Sequence, residues 1–421
     1  MMMHTDIRFL NPHQIGGCVT VIAYGDTKIV IDYGKSLSAG GRLQESIDWE
    51  EERVDAVFFT HYHGDHTGRL DEIPDRVPLY MGAVTRDVII NIHSHLSIYE
   101  KDNNEHAAII SRLAAIPPER LLRADRTVSV GHAGACIRVT PYVVDHSAYE
   151  AHMLLVETPD KVILHTGDFR GHGYIGDDGR TMLRVIDKYV RRYGARDVDV
   201  LITEGTMMGR QDGEIMTEAE LKRRAESLFK DNPYVFLICS SVNLDSLASF
   251  YHAMRKSRPY SAMYGSRYFT EQLSYLCKTA SKRSSVYDLE KRYPYLAGDK
   301  GSEAFIQKQR AQRQLMLRNG FITVIRPEER YEEWVAPFMD RDPLFVYSMW
   351  NGYLDETGYP DACNREWISF QKRHKDRWVS LHTPGHASPK LIRDVIHAAG
   401  AKETVYTIHT EYPERVKALG G

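Results

Sequence analysis

The stretch FFTHYHGDHTG, residues 58–68, places three histidines and an aspartate within six positions, directly after an apolar run. An apolar run of this length that ends on such groups reads as a buried strand. His61, His63, Asp65 and His66 therefore stand at a strand's carboxyl end. On extended backbone the H-x-H spacing turns two imidazoles to the same side. Gly64 is expected to permit a sharp turn, after which Asp65 and His66 face a different point, and Thr67 and Gly68 suit the start of a helix. Two points of convergence suit two metal ions about 3.5–4 Å apart. Imidazole nitrogens and carboxylate oxygens without thiolates fit Zn2+ best, with Mn2+ or Fe as alternatives.

A chain of 421 residues exceeds one small core, and two domains are expected. Hydrophobic content of 43% beside 26% charged residues is that of an ordinary globular protein rather than a disordered one. No apolar run reaches the roughly 18–20 residues of a membrane span, and MMMHTDIRFLNPHQ lacks the layout of a secretory signal. A cytoplasmic location and no membrane partner are the expectation. The five scattered cysteines, Cys18, Cys136, Cys239, Cys277 and Cys363, form no C-x-x-C pair and read as small core residues. A net charge of -3 excludes a protein that coats nucleic acid over its whole surface, but not a local basic patch.

Short β-branched runs at 28–34, 55–60, 136–144, 161–168 and 198–206 predict strands, with helical sequence between some of them, notably 84–116. From about 215 the style changes, with Thr217 and Glu220 in capping-box relation ahead of an amphipathic run. A second strand-helix alternation follows through 234–241 and 344–350. Near 377 the first style returns as strand, loop, helix and strand, with Ser388 as N-cap and Gly400 past the helix end. The predicted class is α/β. At the strand ends stand Asp145 and His146, Asp168, Glu204, His382 and His386, and His409. Ligand sites in α/β sheets gather at strand carboxyl ends, so these groups are expected to converge.

H-x-H-x-D-H at 61–66, with Asp32 after IVI, DHS at 145–147 and TGDF at 166–169, resembles the metallo-β-lactamase superfamily. Glu204 in TEGT, His386 in HTPGHAS and His409 in IHTE resemble the further motifs of its β-CASP nuclease branch, which includes ribonuclease J. The resemblance implies an αββα sandwich, residues 1–205 and 376–421, with an inserted α/β β-CASP domain at 206–375. It also implies that His61, His63 and His146 hold one divalent metal and Asp65, His66 and His409 the other, with Asp168 bridging and Asp32 in support. The implied activity is metal-dependent hydrolysis of RNA phosphodiester bonds, endo or 5′-exo, by water activated between the two metals. Asp65 would orient that water, and His386, positioned by Glu204, would protonate the leaving 3′-oxygen.

The implied partner is single-stranded RNA. Residues 251–320 carry an excess of nine positive charges with eight tyrosines among them, a pattern suited to phosphates and stacked bases. Half of these tyrosines are equally expected in the core. Ser240, Ser241 and Asn243, in an SSVN element similar to one in ribonuclease J, and His382 and Ser388 are candidate substrate contacts, against the plainer reading of turn and cap residues. His93, His95, His106 and His152 are read as ordinary histidines. The chain departs from ribonuclease J where SMWNGYLDETG replaces a Gly-Gln-Gly-Glu-like loop and where Pro384 replaces a serine, both bearing on a 5′-monophosphate pocket. A homo-oligomer is allowed, though not through the extra C-terminal domain of many ribonuclease J proteins. The alternatives are a single-stranded DNA nuclease, a small-molecule hydrolase of the same fold and a non-catalytic RNA scaffold.

Overall fold

Three antiparallel strands, β1 (Thr5–Leu10), β2 (Val19–Tyr24) and β3 (Thr27–Ile31), open the chain. β4 (Ala56–Phe58), β5 (Leu79–Gly82) and β6 (Leu121–Leu122) extend them in parallel into a six-stranded sheet in chain order. A second sheet is built from β7 (Val128–His132), β8 (Ala135–Val144), β9 (Ala151–Glu157), β10 (Val162–His165) and β11 (Val200–Glu204). The computed structural model describes residues 3–37, 44–100, 104–188, 197–209, 215–296, 301–360 and 362–419.

Period-two alternation explains how the sheets stack. Leu154 and Val156 of β9 face a layer shared with Ile22, Ile29, Ile31 and Phe58 of the first sheet. Met153 and Leu155 of the same strand face the opposite side. With both faces covered, β9 has no polar alternation, and its apolar run LLV lacks the turn signals by which the sequence marks other strands.

Beyond β11 lies a second compact unit, Ile215–Pro384, separate from the unit formed by Met1–Glu214 with Gly385–Gly421. Thr217 caps its first helix, its side chain accepting from the Glu220 N–H at 3.1 Å. β12 (Tyr234–Cys239), β13 (Ala262–Gly265), β14 (Arg292–Pro294), β15 (Phe321–Ile325), β16 (Leu344–Ser348) and β17 (Trp378–Ser380) pair in parallel in the order β14-β13-β15-β12-β16-β17. Because β17 pairs with β16, the boundary expected near 375 falls instead at Pro384–Gly385. A three-residue strand carries too little pattern to announce which sheet it joins.

From Gly385 the chain re-enters the first unit. Ser388 caps the helix Pro389–Ala399, accepting from the Leu391 N–H at 3.1 Å, and Gly400 ends it in the left-handed region at φ 56°. Leu391, Ile392, Val395 and Ile396 cover the outer face of the second sheet against Val162 and Leu164. β18 (Thr404–Ile408) then pairs in parallel with β11. The class is α/β. No helix among the described residues is long and apolar enough to cross a membrane, and all five cysteines are free thiols.

Candidate metal centre

Three neutral imidazoles meet beyond β4 and β8. The His61 Nε2 lies 3.0 Å from the His63 Nδ1, which lies 3.2 Å from the His146 Nε2. Protons on the outer nitrogens can be assigned. Thr60 donates its hydroxyl to Asp32 at 2.8 Å, so it accepts from the His61 Nδ1–H at 3.0 Å. The His146 Nδ1–H donates to the Gly385 carbonyl at 2.7 Å. Both Nε2 atoms therefore turn lone pairs toward the His63 Nδ1, and at most one proton can lie among the three. Burial, the largest influence on each, holds His61 and His146 well below the usual histidine range and brings His63 down to about 4. A tetrahedral Zn2+ with Zn–N of about 2.0–2.1 Å spaces its ligand nitrogens roughly 3.3 Å apart, so this donor set fits a cation.

The second set has the opposite electrostatic character. Asp65, His66, Asp168 and His409 offer donor atoms all within 4.8 Å of one another, as do His61, His63 and His146 among themselves. His66 donates its Nδ1–H to Asp32 at 2.9 Å, and its Nε2 lies 3.1 Å from the Asp168 Oδ2. Burial works against a charged His66, yet Asp168, Asp65 and Asp32 outweigh it and hold the imidazole well above its usual range. For Asp65, burial is likewise outweighed, by His66 and His409, and the carboxyl lies far below the carboxylate range. A buried concentration of carboxylate charge is what a divalent ion neutralises. Burial pushes the nearby Cys18 thiol up to about 12, which keeps thiolate out of the donor set.

Loop geometry makes this convergence possible. Asp32 sits at φ 59° and accepts from the Thr60 N–H at 2.8 Å as well as from Thr60 Oγ1 and His66. A Cβ on Gly34 would meet the Asp65 carbonyl at 1.9 Å, so only glycine allows that approach. Gly64 differs from expectation. It begins the short helical turn Gly64–Thr67, no neighbour lies within 4 Å of an added Cβ, and Gly68 caps the turn's end rather than starting a helix.

Beside the second set, the His386 Nδ1 lies 2.9 Å from the Glu204 Oε2 and 3.6 Å from the Asp168 Oδ2. Glu204 is fully buried at the end of β11, and its other oxygen accepts the Phe169 N–H at 3.0 Å. The His386 side chain keeps 21% exposure. Burial opposes its charge, but the Glu204 and Asp168 carboxylates raise it to about 9. Asp168, Glu204, His386 and His409 form a third group with donors within 4.8 Å. Asp168 belongs to the second and third groups and not to the first.

The other candidates belong to other elements. Ser388 caps its helix. In the second unit Asn243 caps the helix Leu244–Ser257, accepting from the Ser246 N–H at 3.3 Å, and Ser240 accepts the Val242 N–H at 3.4 Å. Ser241 bonds the Tyr268 hydroxyl, and His382 is half-buried just past β17. Of the ordinary histidines, His93 and His106 face each other with their Nδ1 atoms 3.0 Å apart.

Thr60 and Gly385, which orient histidines, gave no sequence signal beyond standing next to His61 and His386. Arg170, fully buried, was equally silent. Its Nε lies 3.3 Å from the Asp145 Oδ1, its N–H donates to the Asp145 carbonyl at 2.6 Å, and the Gly173 N–H donates to the Asp145 Oδ2 at 2.8 Å. These bonds tie the loop bearing His146 to the loop bearing Asp168. Asp145→Ala is expected to cost about 3–5 kcal/mol, because a buried guanidinium loses this carboxylate. Thermal unfolding checks it, and an unchanged Tm refutes it.

The family model of the metallo-beta-lactamase superfamily matches residues 16–214, the segment that carries His61, His63, Asp65, His66, His146 and Asp168. This chain carries a metallo-β-lactamase superfamily domain. The chain is also similar to Ribonuclease J of Mycoplasma genitalium, 24% identical over 202 residues, which is 46% of this chain and 32% of that protein. The chain thus aligns with about a third of that relative's length. A solved structure of a protein of unknown function from Enterococcus faecalis V583 shares the fold, with a TM-score of 0.68 at 18% identity, covering 98% of this chain and 95% of that one. The metallo-β-lactamase domain is a hydrolase scaffold, and its His and Asp clusters are positioned to bind divalent metal.

Proposed function

We propose that this protein is a metal-dependent ribonuclease, with residues 215–384 acting as a β-CASP-like domain. The observation that carries the reading is the His386–Glu204 pair at 2.9 Å, set against Asp168 of the second donor set. A proton donor opposite the attacking water speeds departure of the 3′-oxygen, and the His386 imidazole beside Glu204 offers one. The similarity to Ribonuclease J and the TEGT, HTPGHAS and IHTE motifs point the same way.

His61, His63 and His146 would hold one cation and Asp65, His66 and His409 the other, with Asp168 between them. A pair of divalent ions bound there, Zn2+ or Mn2+, supplies water activation near neutral pH and Lewis-acid neutralisation of a phosphodiester oxygen. Asp65 accepts a hydrogen bond from the attacking water and fixes its direction. Asp32 holds the His66 ring directly and the His61 ring through Thr60. His386 delivers a proton to the leaving 3′-oxygen, a contribution of typically about 10²–10⁴-fold. Glu204 keeps that imidazole protonated and aimed through Nδ1, leaving Nε2 for the substrate.

The second unit offers groups suited to a single strand. Tyr251, Tyr264, Tyr287 and Tyr295 are core residues, but Tyr260 and Tyr293 are 75% and 48% exposed. The Lys291 ammonium lies 5.5 Å from the Tyr260 ring centre. Ser240, Ser241 and Asn243 follow β12, the strand on either side of which the chain order reverses, where α/β sheets bind ligands. Tyr260→Ala and Tyr293→Ala are each expected to weaken RNA binding by about 1–3 kcal/mol, the usual worth of one stacked base. Filter binding with a labelled oligonucleotide checks this, and unchanged affinity in the double variant removes the surface from the reading.

The decisive assay uses 5′-labelled single-stranded RNA bearing a monophosphate or a triphosphate, with matched DNA, with and without chelator. RNA is expected to be cut and chelator to abolish cutting, and product lengths separate endo from 5′-exo action. Cleavage that survives chelation, or of DNA alone, overturns the ribonuclease assignment.

A further inference from the structure

His409 stands one residue past β18 in the left-handed region, at φ 54°. Thr206, two residues past β11, reaches it with a single hydroxyl. The Thr206 Oγ1 lies 2.8 Å from the His409 Nδ1 and 3.2 Å from the His409 carbonyl oxygen. A hydroxyl has one proton and two lone pairs. The carbonyl can only accept, so the proton goes there and a lone pair is left to receive an Nδ1–H. The opposite edge of the ring agrees, because the Gly16 N–H donates to the His409 Nε2 at 3.2 Å and needs a lone pair to receive it. That Nε2 faces the Asp65 Oδ2 at 3.1 Å and the Asp168 Oδ2 at 3.8 Å. That single lone pair is unfavourable beside two carboxylates until a cation lies among them and takes the place of the Gly16 N–H.

We propose that Thr206 is a positioning residue that holds His409 as the Nδ1–H tautomer and so sets the affinity of the Asp65, His66, Asp168 and His409 group for its cation, an inference that rests on reading that group as a cation site. The comparison within the site sharpens it. His66 is backed by the Asp32 carboxylate, His61 by a hydroxyl itself bound to Asp32, and His146 by the Gly385 carbonyl. His66 and His146 are thus anchored by obligatory acceptors, and the Thr60 hydroxyl behind His61 gives its proton to a carboxylate outside the ring it holds. His409 depends on a hydroxyl whose acceptor role exists only while its proton is taken by the His409 carbonyl. The same hydroxyl therefore ties ring and backbone together at the left-handed residue, and removing it frees both.

The full-length chain is stripped of metal and titrated with Zn2+ against a chromophoric chelator. Thr206→Val keeps the branched shape without the hydroxyl, and Thr206→Ser keeps the hydroxyl. Thr206→Val is expected to weaken one equivalent of zinc by about 10–100-fold, the usual cost of losing such a partner, and to leave the other within about threefold. Thr206→Ser restores the weakened equivalent. Nitrogen-15 histidine spectra of the zinc-loaded chain should show His409 with its proton on Nδ1 in the wild type and in Thr206→Ser, and that form depleted in Thr206→Val at the same zinc concentration. Both equivalents held as tightly in Thr206→Val as in the wild type, both weakened alike, or a wild-type His409 protonated on Nε2 overturns the proposal. A wild type that takes up no zinc overturns the cation reading itself, a result distinct from a wild type that takes up zinc with no selective loss in Thr206→Val.

Discussion

Asp168→Asn is expected to cut RNA hydrolysis on the order of 10³-fold, the scale of losing a group that holds transition-state charge in place. The substitution keeps the side chain's shape and removes its charge. The His66 Nε2, at 3.1 Å, the His386 Nδ1, at 3.6 Å, and the His409 Nε2, at 3.8 Å, all face its Oδ2. Among the described residues, Asp168 belongs to both the second donor set and the group that contains Glu204 and His386. The bound metal, measured by elemental analysis, should fall from about two ions to about one, with the far-ultraviolet circular dichroism unchanged. Turnover within tenfold of wild type would show that Asp168 does not join the two sets.

His386→Ala is expected to lower kcat by about 10²-fold or more, the usual range for a general acid, while metal content and KM stay near wild type. The His386 ring packs against His146 with centroids 5.2 Å apart, but the hydrogen bonds that hold the first donor set run to Thr60 and Gly385 and within the set itself, so its loss should leave those bonds intact. A substrate with a 3′-bridging sulfur supplies the control. Its leaving thiolate needs no proton, so His386→Ala should cut it nearly as fast as the wild type does. A variant equally slow on both substrates would assign His386 to positioning rather than proton transfer. Retained turnover on ordinary RNA would remove it from the chemistry.

Much of the site is legible in the sequence because its ligands stand at strand ends, and strand ends are marked by apolar runs that stop at His, Asp or Glu. The runs ending at Phe58, Val144, His165, Glu204 and Ile408 each deliver one or more of the convergent groups. The capping signals at Thr217, Ser388 and Gly400 are likewise local, each needing only three or four neighbouring residues. Gly64 does begin a turn, but that turn is open on the side where a Cβ would point, so glycine is not sterically required there. Gly34, which is sterically required, touches Asp65 across some thirty positions, a distance no local pattern spans.

Residue types and their order along the chain determine the α/β class, the metal-capable donor list and the strand ends that carry it, since these depend on alternation, capping and short-range chemistry. Only the folded arrangement decides which ring nitrogen each histidine presents, that Asp168 stands with the second donor set, and that Thr60, Gly385 and Thr206 orient the rings. Those outcomes depend on bonds between residues as far apart as 146 and 385 or 206 and 409, where the partner that each nitrogen faces selects donor from acceptor.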